Sequence, residues 1–213
     1  MNVLNKPAVQ ETLIELHQES DANNFQRSGI LDKIQDPQER KIKHDELRKT
    51  TFMSVGRDEG KFLYISALSS RTKNIVEFGC SFGISTIYLA AAASQNGGSV
   101  TTTEMEPKKW DKAVKNISTA GLQNYVEILK GDALQTLQTY DKDIDLLFLD
   151  GEKSLYLPIF ELLQKKFHTG TLIIADNVDK PELSEFVSMI MNNPEKYTAV
   201  KLFNDKILQI LIQ

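Results

Sequence analysis

The sequence contains little cysteine, little histidine and no long apolar run. Its 213 residues include one cysteine, Cys80, and three scattered histidines, so it offers neither an internal disulfide nor a cluster of Cys and His metal ligands. The longest uninterrupted apolar run covers residues 87–93, far short of the roughly 20 residues that cross a bilayer. The N-terminus shows no basic start followed by an apolar stretch and a cleavage site, and we therefore expect a cytoplasmic protein.

An excess of basic charge is also absent. Lys and Arg number 25 against 29 Asp and Glu, which gives a net charge of −4 and an isoelectric point near 5.5. This balance is not that of a dedicated nucleic-acid binder. Apolar residues make up 41% of the chain and charged residues 25%, which is enough to bury one core. The length predicts one domain with an extension.

Residues 1–70 contain no strand-like run, and we predict that they form an N-terminal helical extension ahead of a main domain at 71–213. Helical spacing of apolar residues and an Asp-Pro start signal predict three helices in the extension. They are expected at Val9 to His17, from Pro37 to about Arg48, and at Arg57 to Ser69.

From residue 74 onward, β-rich runs alternate with helical segments, a pattern typical of a parallel sheet with helices on both faces. The predicted strands are 74–78, 99–104, 125–129, 144–150, 171–176, 197–203 and 206–212. Only Asn204-Asp205 separates the last two runs, which predicts a hairpin and therefore an antiparallel strand at the end of the sheet. The predicted fold class is α/β.

A glycine loop, E-F-G-C-S-F-G-I-S-T at residues 77–86, lies between the first strand and its helix. The dinucleotide fingerprint G-x-G-x-x-G is not matched, because only the first of its three glycines is present, and this disfavours NAD. Gly79 allows a sharp turn close to a ligand, and Gly83 opens the helix, with Ser85 available to a ligand. The alternative is a tight turn that binds nothing.

Two acidic residues follow the neighbouring strands. Glu104 ends the second strand, where a carboxylate accepts hydrogen bonds from both hydroxyls of a ribose, and Asp132 follows the third strand, within reach of an adenine amine. Ligands of open α/β sheets lie beyond the carboxyl ends of the strands, at the switch in strand order. This joint placement predicts a nucleoside site, although each acid also suits a helix N-cap or a loop end.

The next two strands end in further polar residues. Asp150 ends the fourth strand, and Asp176-Asn177 end the fifth, its expected neighbour in the sheet. Two carboxylates and an amide oxygen suit Mg²⁺, whereas zinc is disfavoured. Lys153 is expected to point back toward this ion, which would favour the neutral amine that a general base needs. The alternatives are that Lys153 only pairs with Asp150 or Glu152, and that Asp176-Asn177 is a turn.

Together these segments resemble the metal-dependent, S-adenosylmethionine-dependent O-methyltransferases, the group that contains the catechol and caffeoyl-CoA O-methyltransferases. The resemblance covers roughly residues 50 to 213 and its pieces match in order and spacing: M-S-V-G-R-D-E-G-K-F-L from Met53, E-F-G-C-S-F-G-I-S-T from Glu77, T-E-M-E-P around Glu104, G-D-A at 131–133, D-G-E-K-S-L-Y from Asp150 and A-D-N-V at 175–178. It implies a Rossmann-like class I methyltransferase fold of seven strands, the last antiparallel, and a homodimer.

The resemblance also implies residue roles. The residues it implies for S-adenosylmethionine are Met53, Val55, Glu77, Gly79, Ser81, Gly83, Ser85, Glu104, Met105, Asp132, Ala133 and Asp150. Asp150, Asp176 and Asn177 would hold Mg²⁺ or another divalent cation, and Lys153 would take the acceptor's hydroxyl proton. Gly151-Glu152 replace a His-Trp pair of the animal catechol enzymes, and the turn at 204–205 is short. We therefore expect a more open acceptor pocket, walled partly by the N-terminal 50 residues.

Three functions are weighed on these grounds. The first is Mg²⁺-dependent methyl transfer to a hydroxyl of a catechol-like small molecule, and the second is the same chemistry on a hydroxyuridine in tRNA. The basic helix at 39–49 is the local support for tRNA. The third is a non-catalytic S-adenosylmethionine-binding protein. The presence of Lys153 and the three metal-ligand candidates favours the first, and Cys80 is expected to be a small loop residue.

Overall fold

The computed structural model describes residues 2–213, which form one sheet with helices on both faces. The strands are β1 Asn74–Phe78, β2 Ser99–Glu104, β3 Val126–Lys130, β4 Ile144–Leu149, β5 Phe167–Ala175, β6 Tyr197–Leu202 and β7 Ile207–Ile212. The helices are α1 Pro7–Leu31, α2 Pro37–Arg48, α3 Arg57–Ser69, α4 Ile84–Asn96, α5 Pro107–Thr119, α6 Ala133–Thr136, α7 Tyr156–Leu163 and α8 Ser184–Met191.

The strand order is β3-β2-β1-β4-β5-β7-β6. The first five strands of this order pair in parallel, and β7 pairs antiparallel with both β5 and β6. The predicted Rossmann-like α/β fold, with its hairpin at the C-terminus, is confirmed. The order reverses at β1, which lies between β2 and β4, so the crevice at this point is the expected ligand site.

Several boundaries differ from the sequence prediction, and among the strands the largest shift is at the start of β5, which begins at Phe167 instead of residue 171. The first helix extends to Leu31 instead of ending at His17. The added residues are largely exposed and polar, so they show little of the apolar periodicity from which a helix is predicted. The hairpin turn spans residues 203–206 instead of 204–205, with Phe203, Asn204 and Asp205 all in the left-handed region. Lys206 thus leaves the predicted last strand. Within residues 2–213, no helix is both long and apolar enough to span a membrane.

The two faces of the sheet bury separate apolar cores. One core combines strand residues with α3, α4 and residues of the N-terminal segment, including Val9, Leu13 and Phe52. The other core is built from the opposite strand faces together with α7 and α8. Because the N-terminal segment shares a core with the sheet, its packing depends on the main domain. The division at residue 70 stays a prediction.

The loops that follow the parallel strands are tied to one another at the carboxyl edge of the sheet. Each of four loop N–H groups donates to the end of a neighbouring strand: Cys80 N to Thr103 O at 2.9 Å, Gly131 N to Glu104 O at 2.9 Å, Asp150 N to Phe78 O at 3.0 Å and Asp176 N to Leu149 O at 3.0 Å. These bonds line up the loops after β3, β2, β1, β4 and β5 in a continuous row. All the polar residues predicted at strand ends therefore lie along one edge.

At the opposite edge, Asp145 anchors the start of β1. Its Oδ2 accepts hydrogen bonds from the N–H groups of Lys73 (2.7 Å) and Asn74 (2.8 Å), and its Oδ1 lies 3.1 Å from Nε2 of His168. Partial burial opposes ionisation, but the Asn74 and Lys73 N–H groups and His168 outweigh it, so the pKa of Asp145 lies below its ordinary value. The pKa of His168 is raised, by its bond to Thr169 O and by Asp145.

Asp145→Asn is expected to lower the free energy of unfolding by about 1–2 kcal/mol near pH 6, because two N–H groups lose a charged acceptor. A lowered folded-state pKa stabilises the protein above the unfolded pKa and ceases to do so as pH falls through the folded value. The raised pKa of His168 adds stability below about pH 6.5, which is lost as pH rises through the folded value. Urea unfolding should show that the difference in unfolding free energy between wild type and Asp145→Asn disappears below about pH 4. A difference that does not change with pH would contradict this account.

Candidate active site

The glycine loop brings the end of β1 into contact with the end of β4. Gly79 has a φ of +100°, and a Cβ atom there would lie 2.9 Å from the carbonyl oxygen of Asp150 and from the backbone of Gly151. Gly79 N–H donates to Oγ1 of Thr103 at 3.3 Å. Gly83 also has a positive φ, +92°, immediately before α4. Glycine at position 79 therefore lets two parts of the site approach each other.

Glu77 is fully buried at the end of β1. Its Oε2 accepts hydrogen bonds from Oγ1 of Thr86 (2.5 Å) and Oγ1 of Thr102 (2.6 Å), while its Oε1 has no partner among residues 2–213. Burial raises the pKa of Glu77 against the opposing effect of these hydroxyls and of Ser85. A buried carboxylate oxygen without a donor beside a glycine loop has the chemistry of a ligand contact.

Glu104 ties the glycine loop to β2. Its Oε2 accepts a hydrogen bond from Ser81 N–H at 2.7 Å, and its Oε1 accepts one from Glu106 N–H at 2.8 Å. Burial raises the pKa of Glu104 and lowers that of neighbouring Lys109. Each carboxylate oxygen keeps a further lone pair, so these loop contacts leave Glu104 able to accept from a ribose.

Asp132 is the N-cap of α6, which the sequence allowed as the alternative to a nucleoside contact. Its Oδ1 accepts a hydrogen bond from Leu134 N–H at 2.9 Å, and the cap does not use Oδ2. Ala133, the first residue of this helix, is buried. Met105 follows Glu104 with 68% of its surface exposed. Both acids predicted for a nucleoside site thus lie at the adjacent carboxyl ends of β2 and β3, which the bond from Gly131 N–H to Glu104 O joins.

Residues 52–55 lie against the glycine loop from the N-terminal side. The ring of Phe52 stacks on that of Phe82, with 4.2 Å between centroids, and Arg27 donates to Phe52 O at 2.7 Å. Val55 is buried, while Met53 keeps 36% of its surface exposed. The N-terminal extension thus places Met53 and Val55, two of the residues that the resemblance assigns to the cofactor, beside the loop.

On the other side of Gly79, Lys153 lies in a polar cluster with Asp150. Lys153 Nζ is 3.3 Å from Asp150 Oδ1 and donates to the hydroxyl oxygen of Tyr156 at 2.9 Å. Tyr156 is fully buried and donates in turn to Asp176 O at 3.1 Å. The Lys153–Asp150 pairing that sequence allowed as an alternative is therefore present, and Tyr156 adds a second partner.

Asp176 has a cationic neighbour that sequence reasoning missed. Lys206 Nζ lies 3.4 Å from Asp176 Oδ1 and 2.5 Å from Glu59 Oε1. Asp176 Oδ1 also accepts a hydrogen bond from Asn177 N–H at 2.8 Å, and Asn177 has a φ of +61°. The acidic first turn of α3 was visible in the sequence, but no sequence signal linked Glu59 to Lys206, 147 residues away.

The arrangement concentrates negative charge at the ends of β4 and β5. Burial raises the pKa of Asp150, with Lys153 opposing the shift and Asp176 adding to it. Burial likewise raises the pKa of Asp176, opposed by Lys206 and reinforced by Glu59. Within residues 2–213, no three or more His, Cys, Asp or Glu side chains lie together as a metal site. The candidate set formed by Asp150, Asp176 and Asn177 has two carboxylates and one amide. Its hard oxygen donors fit Mg²⁺.

The N-terminal extension also borders this side of the site. Arg48, at the end of α2, pairs with Glu152 at 2.6 Å, and Glu152 directly precedes Lys153. Glu152 therefore pairs with Arg48 and not with Lys153, the partner that the sequence also allowed.

Comparisons with known proteins identify the family. A profile described as O-methyltransferase matches residues 32–209, and the chain belongs to this family. It is similar to the catechol O-methyltransferase of Niastella koreensis, with 38% identity over 130 residues, 59% of this chain and 58% of the relative. The catechol O-methyltransferase of Mycobacterium tuberculosis is 34% identical over 127 residues, 59% of this chain and 57% of the relative. The matches thus span less than two thirds of each relative's length.

A solved structure supports the same assignment. The O-methyltransferase from Bacillus cereus, crystallised in complex with SAH, superposes with a TM-score of 0.71 and 26% identity. The superposition covers 92% of this chain and 99% of that structure. The family resemblance seen in the sequence is confirmed.

Proposed function

We propose that this protein transfers a methyl group from S-adenosylmethionine to a hydroxyl of a catechol-like small aromatic molecule, with Mg²⁺ or a similar divalent cation bound. One observation carries the proposal: half-buried Asp150 and buried Asp176 lie at adjacent strand ends, with Lys153 Nζ 3.3 Å from Asp150, directly beside the glycine loop. The printed names of the Niastella and Mycobacterium relatives support the acceptor class.

The glycine loop and its neighbours would hold S-adenosylmethionine, which supplies the methyl group on a sulfonium. The residues proposed are Met53, Val55, Glu77, Gly79, Ser81, Gly83, Ser85, Glu104, Met105, Asp132, Ala133 and Asp150. Glu77 Oε1 needs a donor, and the ammonium group of the cofactor is one. Glu104 is suited to the ribose hydroxyls. Its bonds to Ser81 and Glu106 fix the carboxylate before the cofactor binds.

Asp150, Asp176 and Asn177 would hold the divalent cation. When bound, this ion supplies positive charge that favours the ionised form of a chelated phenol. The protein fixes Asp150 through its backbone bond to Phe78 and fixes Asp176 through its bond to Leu149. These strand-end anchors keep the ligand positions constant relative to the glycine loop, so the acceptor oxygen and the cofactor are positioned by one rigid edge.

Lys153 is the proposed proton acceptor. Nζ would take the proton of the acceptor hydroxyl, and the resulting ammonium would be stabilised by Asp150. Tyr156 accepts a hydrogen bond from Nζ and donates to the Asp176 backbone, so it positions the lysine without touching the acceptor. Burial and the carboxylates of Asp150 and Asp176 raise the pKa of Tyr156, which therefore stays protonated.

The tRNA alternative gains no support from the basic helix. Three of the basic side chains in the 39–49 segment pair with acids of the same chain: Arg40 with Asp32 at 3.1 Å, Lys43 with Glu46 at 2.8 Å and Arg48 with Glu152 at 2.6 Å. A phosphate backbone would have to displace these partners. The non-catalytic alternative is disfavoured by the assembled Lys153 cluster.

The assembly and location follow as further proposals. Large apolar side chains are exposed on the helices of the extension, including Ile14 and Phe25 on α1 and Ile65 on α3. Such a surface suits a homodimer contact. The cytoplasmic location expected from the N-terminal sequence, with which the single cysteine agrees, also stays a prediction.

Methyl transfer from labelled S-adenosylmethionine to catechol tests the function. We expect transfer that requires Mg²⁺, stops with chelator, and falls at least about a hundredfold in Asp150→Asn, because one ligand and the Lys153 partner are altered together. Asp143→Asn, which alters an exposed carboxylate just before β4, is the control and should behave as wild type. Cofactor binding without transfer to any hydroxylated aromatic would contradict the acceptor class, and equal transfer in chelator would contradict the metal.

A further inference from the structure

Lys206 is a cation inside the candidate metal site that the proposed reaction does not use. It lies in the turn between β6 and β7, and its Nζ contacts two carboxylates from different elements. Asp176 Oδ1 is 3.4 Å away and Glu59 Oε1 is 2.5 Å away. The Asp176 side chain is 4% exposed and that of Glu59 is 14% exposed, whereas that of Lys206 is 33% exposed, so the carboxylates are shielded from water and the ammonium is partly shielded.

Glu59 is held as a fixed anchor for this lysine. Its Oε2 accepts a hydrogen bond from Gly56 N–H at 2.7 Å, which closes the first turn of α3, while Oε1 faces Lys206. The contact of Lys206 Nζ with Glu59, at 2.5 Å, is shorter than its contact with Asp176, at 3.4 Å. Lys206 therefore keeps a carboxylate partner whether or not Asp176 is available to it.

We propose that the ammonium group of Lys206 competes with the divalent cation for the carboxylate of Asp176. In the metal-free protein Lys206 pairs with both Asp176 and Glu59, and when a metal binds Asp176 it pairs with Glu59 alone. The inference rests on the proposed function, because it requires Asp176 to be a metal ligand. A divalent ion bound to Asp176 would lie close to the ammonium group of Lys206, which is 3.4 Å from Asp176 Oδ1. Repulsion between the two positive charges weakens the binding of the ion. In the metal-free protein the same ammonium offsets the repulsion between the carboxylates of Asp176 and Glu59.

Removing the charge should therefore tighten metal binding. In Lys206→Met we expect a Kd for Mn²⁺ about tenfold lower than in wild type, because the ion no longer faces the ammonium in a poorly screened site. Lys206→Arg keeps the charge and should bind Mn²⁺ within about twofold of wild type. Lys201→Met removes an exposed ammonium from the same hairpin, where it pairs with Asp205 at 3.7 Å, and serves as the matched control.

The experiment titrates Mn²⁺ into the full-length, chelator-treated protein without methyl donor or acceptor, and follows free Mn²⁺ by electron paramagnetic resonance. Lys206→Gln is measured beside Lys206→Met, so that one folded neutral variant is available. Thermal midpoints supply the second measurement, because a ligand that binds more tightly stabilises the native state more. Mn²⁺ should therefore raise the midpoint of the neutral variants by more than that of wild type.

The outcomes separate the competition from the metal site itself. Tighter Mn²⁺ binding in both neutral variants, and not in Lys206→Arg or Lys201→Met, supports the competition. Equal or weaker binding in the neutral variants, with wild type still binding, overturns the competition and leaves the metal site standing. Absence of Mn²⁺ binding in wild type and in the neutral variants alike overturns both.

Discussion

Lys153→Met is expected to lower turnover by about 10²- to 10⁴-fold, the range typical of a lost general base. Lys153 Nζ lies 3.3 Å from the metal-ligand candidate Asp150, and methionine keeps most of the side-chain length without a proton acceptor of that strength. The affinity for the cofactor should stay within about twofold, because the contacts of the glycine loop do not involve Lys153.

Turnover is measured with labelled S-adenosylmethionine, and cofactor affinity is measured separately by calorimetry with S-adenosylhomocysteine. Lys165→Met, which removes an exposed ammonium just after α7, is the control and should keep wild-type turnover. Near wild-type turnover in Lys153→Met would remove the base assignment. A parallel loss of cofactor affinity would instead indicate that the variant disturbs the glycine loop.

Tyr156→Phe separates positioning from proton transfer in the same cluster. The substitution removes the hydroxyl that accepts from Lys153 at 2.9 Å but leaves the lysine in place. We expect a loss of turnover of about tenfold, smaller than in Lys153→Met, because Asp150 still holds Nζ. If the two variants lose turnover equally, Tyr156 acts as more than a positioning residue.

The sequence predicted the part of the site that follows from strand adjacency. Asp150 and Asp176 end consecutive strands of a right-handed crossover, and such strands pair in parallel, so their ends had to meet. Glu104 and Asp132 were located by the same argument on the other side of β1. The strands were found because short β-rich runs alternate with helical segments throughout residues 74–176.

The missed residues are those that meet through tertiary packing. Glu59 and Lys206 belong to α3 and to a hairpin turn, and each pattern alone is typical of a solvent-exposed charge. Lys206 was assigned to a strand because the turn looked two residues long. Three consecutive residues with positive φ lengthen that turn and direct Lys206 toward Asp176. Asn204 and Asp205 are compatible with this geometry, but their presence in the sequence does not predict it.

Gly79→Ala is expected to cost about 2–4 kcal/mol of unfolding free energy, since it adds backbone strain to a steric clash. Position 79 has a φ of +100°, and the new methyl group would lie 2.9 Å from the backbone of Asp150 and Gly151. Neither side yields easily, because Asp150 N–H is bonded to Phe78 O and Cys80 N–H to Thr103 O. The loop must therefore move away from β4, and cofactor affinity should fall at least about tenfold.

Gly97→Ala is the matched control for this prediction. Gly97 also has a positive φ, +73°, but a Cβ there would meet nothing within 4 Å, so only the backbone strain of about 1 kcal/mol applies. Urea unfolding and calorimetry with S-adenosylhomocysteine distinguish the two variants. Equal losses of stability would show that position 79 requires glycine for its backbone angle alone. A larger loss at position 79, with weaker cofactor binding, would show that close approach of the β1 and β4 loops forms the site.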